Sequence, residues 1–312
     1  MSSLAVSAVS VIIVNYNGAS VLGNALDSLN RLVEPPLEIV VVDNGSDDNS
    51  VQLVKSKALI NPRIHLVTMA ENHGVAGGRN VGVEVAQGDA WAFLDADGQA
   101  TDQWLPQAVV ALNGDPGVGA VAPLVLMDQG YVINAAGSFL DGGGHGYDRY
   151  RGDTLPSRES DLMDLSGTDC DYPMGCGMVI RRDGLEAIWP LDESSLKWHD
   201  DTEIGIRIRK LGYRVVFLAS SRVLHQPGHS DPLHFLERHL QAETARFRLL
   251  IKYYPITVVA TELSRFAMHG VFGSRRRPEA FAQLGSVLTN MKRDWRLLYR
   301  IRRQWQGKAR RN

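Results

Sequence analysis

The sequence predicts an α/β fold, a mostly parallel sheet flanked by helices with a helical extension at its C-terminal end. Between residues 9 and 94, short β-branched runs alternate with segments whose apolar residues recur at helical spacing. Each of those runs ends on a polar or acidic loop, and beyond residue 234 helical spacing marks 234 to 254 and the tail from Glu279. Such alternation implies right-handed crossovers, parallel strands and helices covering the sheet.

The first run, Val9 to Val14, ends on Asn15-Tyr16-Asn17-Gly18, and Val21, Leu22, Ala25, Leu26 and Leu29 then fall on one helical face. Leu37 to Val42 repeats the unit, leading through Asp43-Asn44-Gly45-Ser46 into a helical pattern from Ser50 to Lys57. Ile64 to Thr68 is a third strand, followed by a Gly-rich segment and a helix near Val75 to Ala86. The apolar run Ala90 to Leu94 reads as a buried strand and runs straight into Asp95-Ala96-Asp97-Gly98. Beyond it the rhythm loosens. Val118 to Leu126 and Met178 to Arg181 read as strands, and the six glycines from Asn134 to Asp153 as loop or irregular β structure. Glu203 to Leu211 reads as a helix, Tyr213 to Leu218 as a strand, and 234 to 254 as a helix ending near Pro255.

The composition, 44% apolar and 22% charged over 312 residues, is that of a globular protein with a substantial core rather than a disordered chain. Net charge is -2, but Gly270 to Asn312 carries twelve Lys and Arg against two acids, so a tail near +10 follows a body near -12. Two cysteines, Cys170 and Cys176, make no disulfide framework, and both are expected in packing and in a reducing setting. No signal-peptide pattern and no run of about 18 apolar residues occurs, so secretion and membrane spanning are not expected.

Asp95 and Asp97 end a strand on two carboxylates, a place where hard divalent ions and phosphate ligands collect in α/β sheets. A solvated turn accounts for the same residues. Asp200 and Asp201 open a helical segment and read either as acids that the helix dipole stabilises or as a carboxylate pair in which adjacency raises the basicity of one member. Gly74, Gly77 and Gly78 permit close backbone approach of a ligand, with Arg79 beside them for base or phosphates. The chain has neither a Walker A loop nor a complete Gly-x-Gly-x-x-Gly. Trp104 and Trp198 read either as core or as platforms for a sugar ring.

In order along the chain, Val9 to Asn17, Val41 to Ser46, Asn72 to Gly82, Asp95-Ala96-Asp97 and His199 to Ile204, with Arg207 to Leu218 and then His225, resemble the motifs of family-2 inverting glycosyltransferases. The resemblance covers residues 8 to 255 and implies the GT-A fold, with its mostly parallel, Rossmann-like sheet. It divides the chain into a nucleotide-sugar half (1–100), an acceptor and catalytic half (101–233) and a helical extension with a basic tail (234–312). It implies that Asn15, Tyr16, Asn17, Asp43, Gly74, Arg79 and Asp95 bind a UDP or dTDP donor. Asp97, His225 and Asp95 would hold Mg²⁺ or Mn²⁺, and Asp201, beside Asp200, would be the base. His229 is a substitute for His225, and His199 a contact for the acceptor. The departures are Asp200 for the usual Glu and Glu203 for the usual second Asp. Asn134 to Asp141, Asp171 to Gly177 and Val179 to Arg182 resemble the bacterial rhamnosyltransferase-like branch, implying transfer of a deoxyhexose to a lipid-linked glycan in surface polysaccharide synthesis.

In the tail, Phe281, Leu284, Leu288, Met291, Trp295, Leu298 and Trp305 form one apolar stripe with Lys292, Arg293, Arg296, Arg300 and Arg303 around it. This fits an anionic membrane surface; the alternative is a helix docked on the acidic body of the same protein or on a second subunit. The expectation is an enzyme peripheral on the cytoplasmic face of the cell membrane, with homo-oligomerisation open and no nucleic-acid partner. A nucleotidyltransferase would need a basic loop near the first turn, and Asn15 to Asn24 has no Lys or Arg. A non-catalytic nucleotide-sugar-binding protein would not need Asp97, Asp201 and His225 intact.

Overall fold

A computed structural model describes residues 5–194, 197–226, 235–272 and 278–308. The first half follows the sequence closely: β1 (Val9–Asn15), α1 (Ala19–Asn30), β2 (Glu38–Asp43), α2 (Ser50–Ile60), β3 (Ile64–Thr68), α3 (Gly74–Val85) and β4 (Ala90–Phe93). Leu22, Ala25, Leu26 and Leu29 of α1 are buried as their spacing requires, each large side chain contributing about 1.5–3 kcal/mol. β3, β2, β1 and β4 lie side by side in parallel. Their C-terminal ends, and therefore Asn15, Asp43 and Asp95, share one edge of the sheet.

The second half comprises β5 (Gly98–Ala100), α4 (Trp104–Gly114), β6 (Val118–Met127), β7 (Val132–Ala136), β8 (Ser138–Leu140), β9 (Gly146–Asp148), α5 (Leu155–Asp164), β10 (Val179–Arg181), α6 (Asp200–Lys210) and β11 (Arg214–His225). The full sheet is nine-stranded and mixed, in the order β3-β2-β1-β4-β10-β6-β11-β5 with β7 on β6. β10 runs antiparallel between β4 and β6, β6 and β11 are parallel, and β5 and β7 are antiparallel to their neighbours. The consecutive parallel pairs β1–β2 and β2–β3 are joined by α1 and α2, the crossover that parallel pairing requires.

Two helices of this half carry little sequence signal. α4 has Pro106 in its first turn, where a missing N–H is tolerated, and α5 buries only Leu162. β11 is longer than its apolar part, continuing past Leu218 through an irregular register into Ser220, Ser221 and Arg222. Those polar residues are accommodated because Ser221 Oγ donates to the Trp104 carbonyl (2.8 Å) and Arg222 Nε to the Ala219 carbonyl (3.0 Å). The extension matters for the site: its last residues pair with β5, setting His225 opposite Gly98. His225 therefore ends the strand rather than following it.

Most of residues 1–139, 148–196 and 200–231 form one compact unit, and 140–147, 197–199 and 232–312 a second. The second unit contains α7 (Phe235–Tyr253), α8 (Ile256–Phe272) and α9 (Pro278–Lys308). Phe247, Leu250, Ile251, Val259 and Leu298 form its core. Buried Arg248 pairs with Asp294, and Arg302 donates to the carbonyls of Ile251 (2.8 Å) and Tyr254 (2.7 Å) at the end of α7. Leu298 and Trp305 are buried within this unit, whereas Trp295 is 47% exposed. The tail's stripe is thereby divided: part packs on α7 within the same helical unit, and part is exposed. The side chains of Phe281, Leu284, Leu288 and Met291 lie outside the described residues. Among the described residues no helix is long and apolar enough to cross a membrane.

Candidate active site

Sequence-distant acids converge at the C-terminal ends of β1, β2 and β4. His225 Nε2 lies 3.3 Å from Asp97 Oδ1 and 3.7 Å from Asp95 Oδ2. The other ring nitrogen, Nδ1, faces Asn134 Oδ1 at 2.8 Å. Asn134 is buried on β7 and its oxygen only accepts, so Nδ1 carries the proton and Nε2 is directed at the carboxylates. Burial alone would lower the pKa of His225, but the hydrogen bond with Asp97 and the charges of Asp95 and Asp97 outweigh it and raise it. Burial raises the pKa of Asp95, against the pull of His225 and Arg79.

The register explains this meeting. Gln226 N donates to the Asp97 carbonyl (3.1 Å), continuing the β5–β11 ladder back to the acid. A side chain at Gly98 would come 2.8 Å from Leu94 Cδ1 and 3.0 Å from Cys176 Sγ, so glycine keeps the turn tight. On the other flank, Gly177 N donates to the Phe93 carbonyl (2.7 Å) at a φ of +92°. That contact brings Gly175 and Cys176 beside Asp95.

Arg79 joins the two groups of acids. Buried on α3, it pairs with Asp200, lies 3.8 Å from Asp95 Oδ1 and donates to the Gly175 carbonyl at 3.2 Å. Its guanidinium stands 5.3 Å over the Phe93 ring. Gly78 and Gly82 set its position, because side chains there would collide with Val14 and Ile12 of β1. Of the glycines expected to admit a ligand, Gly78 serves helix–strand packing, and a Cβ on Gly77 would come 2.5 Å from His73 Cβ at the start of the same helix.

Asp201 lies in the first turn of α6, accepting from Thr202 N (2.6 Å) and Gly175 N (3.2 Å). Burial and the adjacent Asp200 push its pKa up to about 7, against the pull of Arg79 and the Thr202 amide. A dipole-stabilised surface acid would shift the opposite way. Asp148 adds further negative charge. Glu203, one of the departures, is buried and pairs with Arg207 one turn on at 2.6 Å, a structural bridge within α6.

The loops after β1 and β2 interlock beside this centre. Asn15 Nδ2 donates to Asp43 Oδ2 (2.9 Å) and to Ser46 Oγ (3.2 Å), Ser46 N donates to Asp43 Oδ1 (3.0 Å), and Asp47 N to Asn17 Oδ1 (2.8 Å). Asn44 Nδ2 donates to Asn72 Oδ1 (3.0 Å) and to the Gly74 carbonyl (2.9 Å), while Gly74 N donates to Asn72 Oδ1 (2.8 Å) at a φ of +72°. Both backbone groups of Gly74 are thus engaged within the loop. Tyr16 is 43% exposed and Asn15 Oδ1 is buried with no partner. A Cβ on Gly18 would stand 3.6 Å from Ala96 Cβ, so this loop adjoins the Asp95 to Asp97 turn.

Asp95, Asp97, His225, Arg79, Asp200 and Asp201 are therefore brought together, with Asn15, Asn17, Asp43 and Gly74 forming a second cluster. Trp104 is core, its indole N–H donating to the Gly177 carbonyl at 2.7 Å. Trp198 and His199 sit in the left-handed region (φ 76° and 63°), and His229 lies outside the described residues. Asn134, Gly175 and Cys176 lie at the site, although the sequence offered them only as parts of a branch motif. The donor set of two carboxylates and an oriented imidazole fits a divalent cation of the Mg²⁺ or Mn²⁺ type. A cleft of about 550 Å³ lined by Ser7, Pro35, Leu37, Arg63, Leu105 and Val110 lies at the opposite ends of β1 and β2, away from these acids.

Known proteins share this architecture. The N-acetylglucosaminyl-diphospho-decaprenol L-rhamnosyltransferase of Mycobacterium tuberculosis is 26% identical over 256 residues, covering 73% of this chain and 80% of that one. The structure of GalNAc-T7 with UDP, GalNAc and Mn²⁺ superposes at a TM-score of 0.63 with 17% identity, over 92% of this chain and 55% of that one. The mannosyltransferase PcManGT of Pyrobaculum calidifontis, in complex with GDP-Man and Mn²⁺, does so at 0.55 with 19% identity, over 96% and 85%. These likenesses establish the GT-A fold. Residues 10–189, more than half of the chain, match the model of Glycosyl transferase family 2, and the chain belongs to that family of glycosyltransferases.

Proposed function

We propose that this glycosyltransferase is an inverting, metal-dependent enzyme that moves a deoxyhexose of the rhamnose type from a UDP or dTDP donor to a lipid-linked glycan. The observation that carries the reading is Asp201, a carboxylate whose pKa is pushed up to about 7 and which is linked through Gly175 and Arg79 to the Asp95, Asp97 and His225 cluster.

In this mechanism Asp201 accepts the proton of the acceptor hydroxyl as that oxygen attacks the anomeric carbon from the face opposite the diphosphate. A pKa near operating pH gives a carboxylate that is both ionised and basic enough for the task. Asp200, paired with Arg79, lies beside Asp201 and raises that basicity. Asp97, Asp95 and His225 would hold the cation, with Asn134 fixing the imidazole. Bound there, a divalent ion supplies positive charge to the departing diphosphate oxygens. Asn15, Asn17 and Asp43 line the nucleotide end, with Tyr16 exposed for stacking on the base. The name of the mycobacterial relative supports rhamnose and a lipid-linked acceptor.

The outer face of α9 carries exposed Trp295, Leu297 and Tyr299 among exposed Lys292, Arg293, Arg296, Arg300 and Arg303. Such a face suits an anionic leaflet, consistent with a peripheral enzyme on the cytoplasmic side where lipid-linked acceptors are presented. Two assays test the reading. Turnover of UDP-, dTDP- and GDP-sugars with Mn²⁺ is expected for a pyrimidine donor and is expected to collapse in Asp97→Asn. Flotation on anionic vesicles is expected for the full chain and is expected to be lost in Trp295→Ala with Arg296→Glu and Arg300→Glu. Equal turnover by Asp97→Asn contradicts the cation reading, and equal flotation of the triple variant contradicts the membrane reading.

A further inference from the structure

Asp95 and His225 have a third neighbour that the transfer mechanism leaves unused. Ligand atoms of Asp95, Cys176 and His225 all lie within 4.8 Å of one another. Cys176 is buried at 1% exposure and is a free thiol. The cluster thus offers two donor triangles that share the Asp95 and His225 edge. One is completed by the hard carboxylate of Asp97, 3.3 Å from His225 Nε2, the other by a soft sulfur.

Donor softness separates the ions these triangles accept. Carboxylates suit Mg²⁺ and Mn²⁺, whereas thiolate with imidazole suits Zn²⁺ and its thiophilic relatives. Ideal tetrahedral zinc bonds of about 2.0–2.3 Å place ligand atoms roughly 3.3–3.6 Å apart. The 3.7 Å separation of His225 Nε2 and Asp95 Oδ2 lies within a few tenths of an ångström of that spacing, and the sulfur, within 4.8 Å of both, needs to close by about 1.5 Å at most. Asn134 serves both triangles, since it aims Nε2 at the shared edge.

We propose that Asp95, Cys176 and His225 form a thiophilic metal site that takes Zn²⁺ or Cd²⁺ and, by drawing Asp95 and His225 away from Asp97, inhibits the enzyme. Binding displaces the Cys176 proton to solvent, forms the metal–sulfur bond and involves no change of oxidation state. The inference rests on the cation-site reading of Asp95 and His225 but not on glycosyl transfer itself.

Co²⁺ is the probe, because a cobalt–thiolate bond gives a near-ultraviolet charge-transfer band that oxygen and nitrogen ligands do not. Titrated into the full-length protein, Co²⁺ is expected to produce that band in the wild type and in Cys170→Ser, and not in Cys176→Ser or Cys176→Ala. Losing even an outer partner of a metal ligand weakens binding about 10–100-fold. The Zn²⁺ concentration that halves Mn²⁺-supported turnover, normalised to each variant's own rate, should therefore rise at least about tenfold in the Cys176 variants. A wild-type titration without the band, or a band that survives in folded Cys176→Ala, overturns the proposal. A protein that shows the band but turns over no nucleotide sugar retains this site and loses the proposed function instead.

Discussion

At the scale of single residues, Asp201 is held in a state that works against folding. Its pKa, pushed up to about 7 by burial and Asp200, lies above the 3.8 of a free aspartate. A folded-state pKa raised in this way means that the native chain binds the proton more tightly than the unfolded chain. The penalty of ionising Asp201 is thus absent below about pH 4, grows between about 4 and 7, and is complete above. Asp201→Asn removes it, so its Tm should exceed that of the wild type at pH 8 and by a smaller margin at pH 5; a lower Tm at pH 8 would show that the carboxylate stabilises the fold. Gly175 is a second sensitive position, since a Cβ there would come 2.8 Å from Arg79 Nη2. Gly175→Ala should displace the guanidinium from Asp200 and lower kcat about tenfold or more, as misplaced catalytic groups do, with a smaller change in Tm. Steady-state kinetics beside a thermal melt separates the two effects.

At the scale of elements, the parallel half was legible because each strand there is a continuous apolar run followed by a periodic helix. The second half was less so, for reasons visible in particular residues. α5 buries a single apolar side chain, so no period exists to read. The end of β11 carries Ser220, Ser221 and Arg222, whose side chains donate to the Gln107 amide oxygen, the Trp104 carbonyl and the Ala219 carbonyl respectively, partners that no local pattern announces. α8 begins at Ile256, directly after a proline that reads as the end of a helix, while its carbonyl accepts from Val258 N (3.0 Å). The motif acids were found because they close strands or open a helix. Asn134 and Cys176 were not found in their places at the site, because only the β7–β6 and β4–β10 pairings bring them there. The tail showed its amphipathic stripe but not its partner. Leu298 is buried against α7, and Leu298→Ala should destabilise the helical unit by about 2–5 kcal/mol. Denaturant melts monitored at Trp305, buried in the same unit, check this; an unchanged midpoint would contradict docking of α9.

At the scale of the whole molecule, the chain separates a body near -12 from a tail near +10. An attraction to anionic vesicles through that tail should weaken as salt rises, with a Debye length of about 10 Å at 0.1 M and about 3 Å at 1 M. Salt-independent flotation would assign the binding to apolar contacts alone. Donor and cation should stabilise the fold together, since a ligand at about 100 times its Kd adds about 2.7 kcal/mol; melts with UDP, with Mn²⁺ and with both test that coupling. The central claim is that Asp201 removes the acceptor proton opposite a cation-held diphosphate, and its most direct test is the pH dependence of kcat/KM with Mn²⁺ and the productive nucleotide sugar. The wild type should gain activity through a limb near pH 7, and Asp201→Asn should fall about 10²–10⁴-fold and lose that limb. A variant that retains wild-type rates with the same limb would contradict the account.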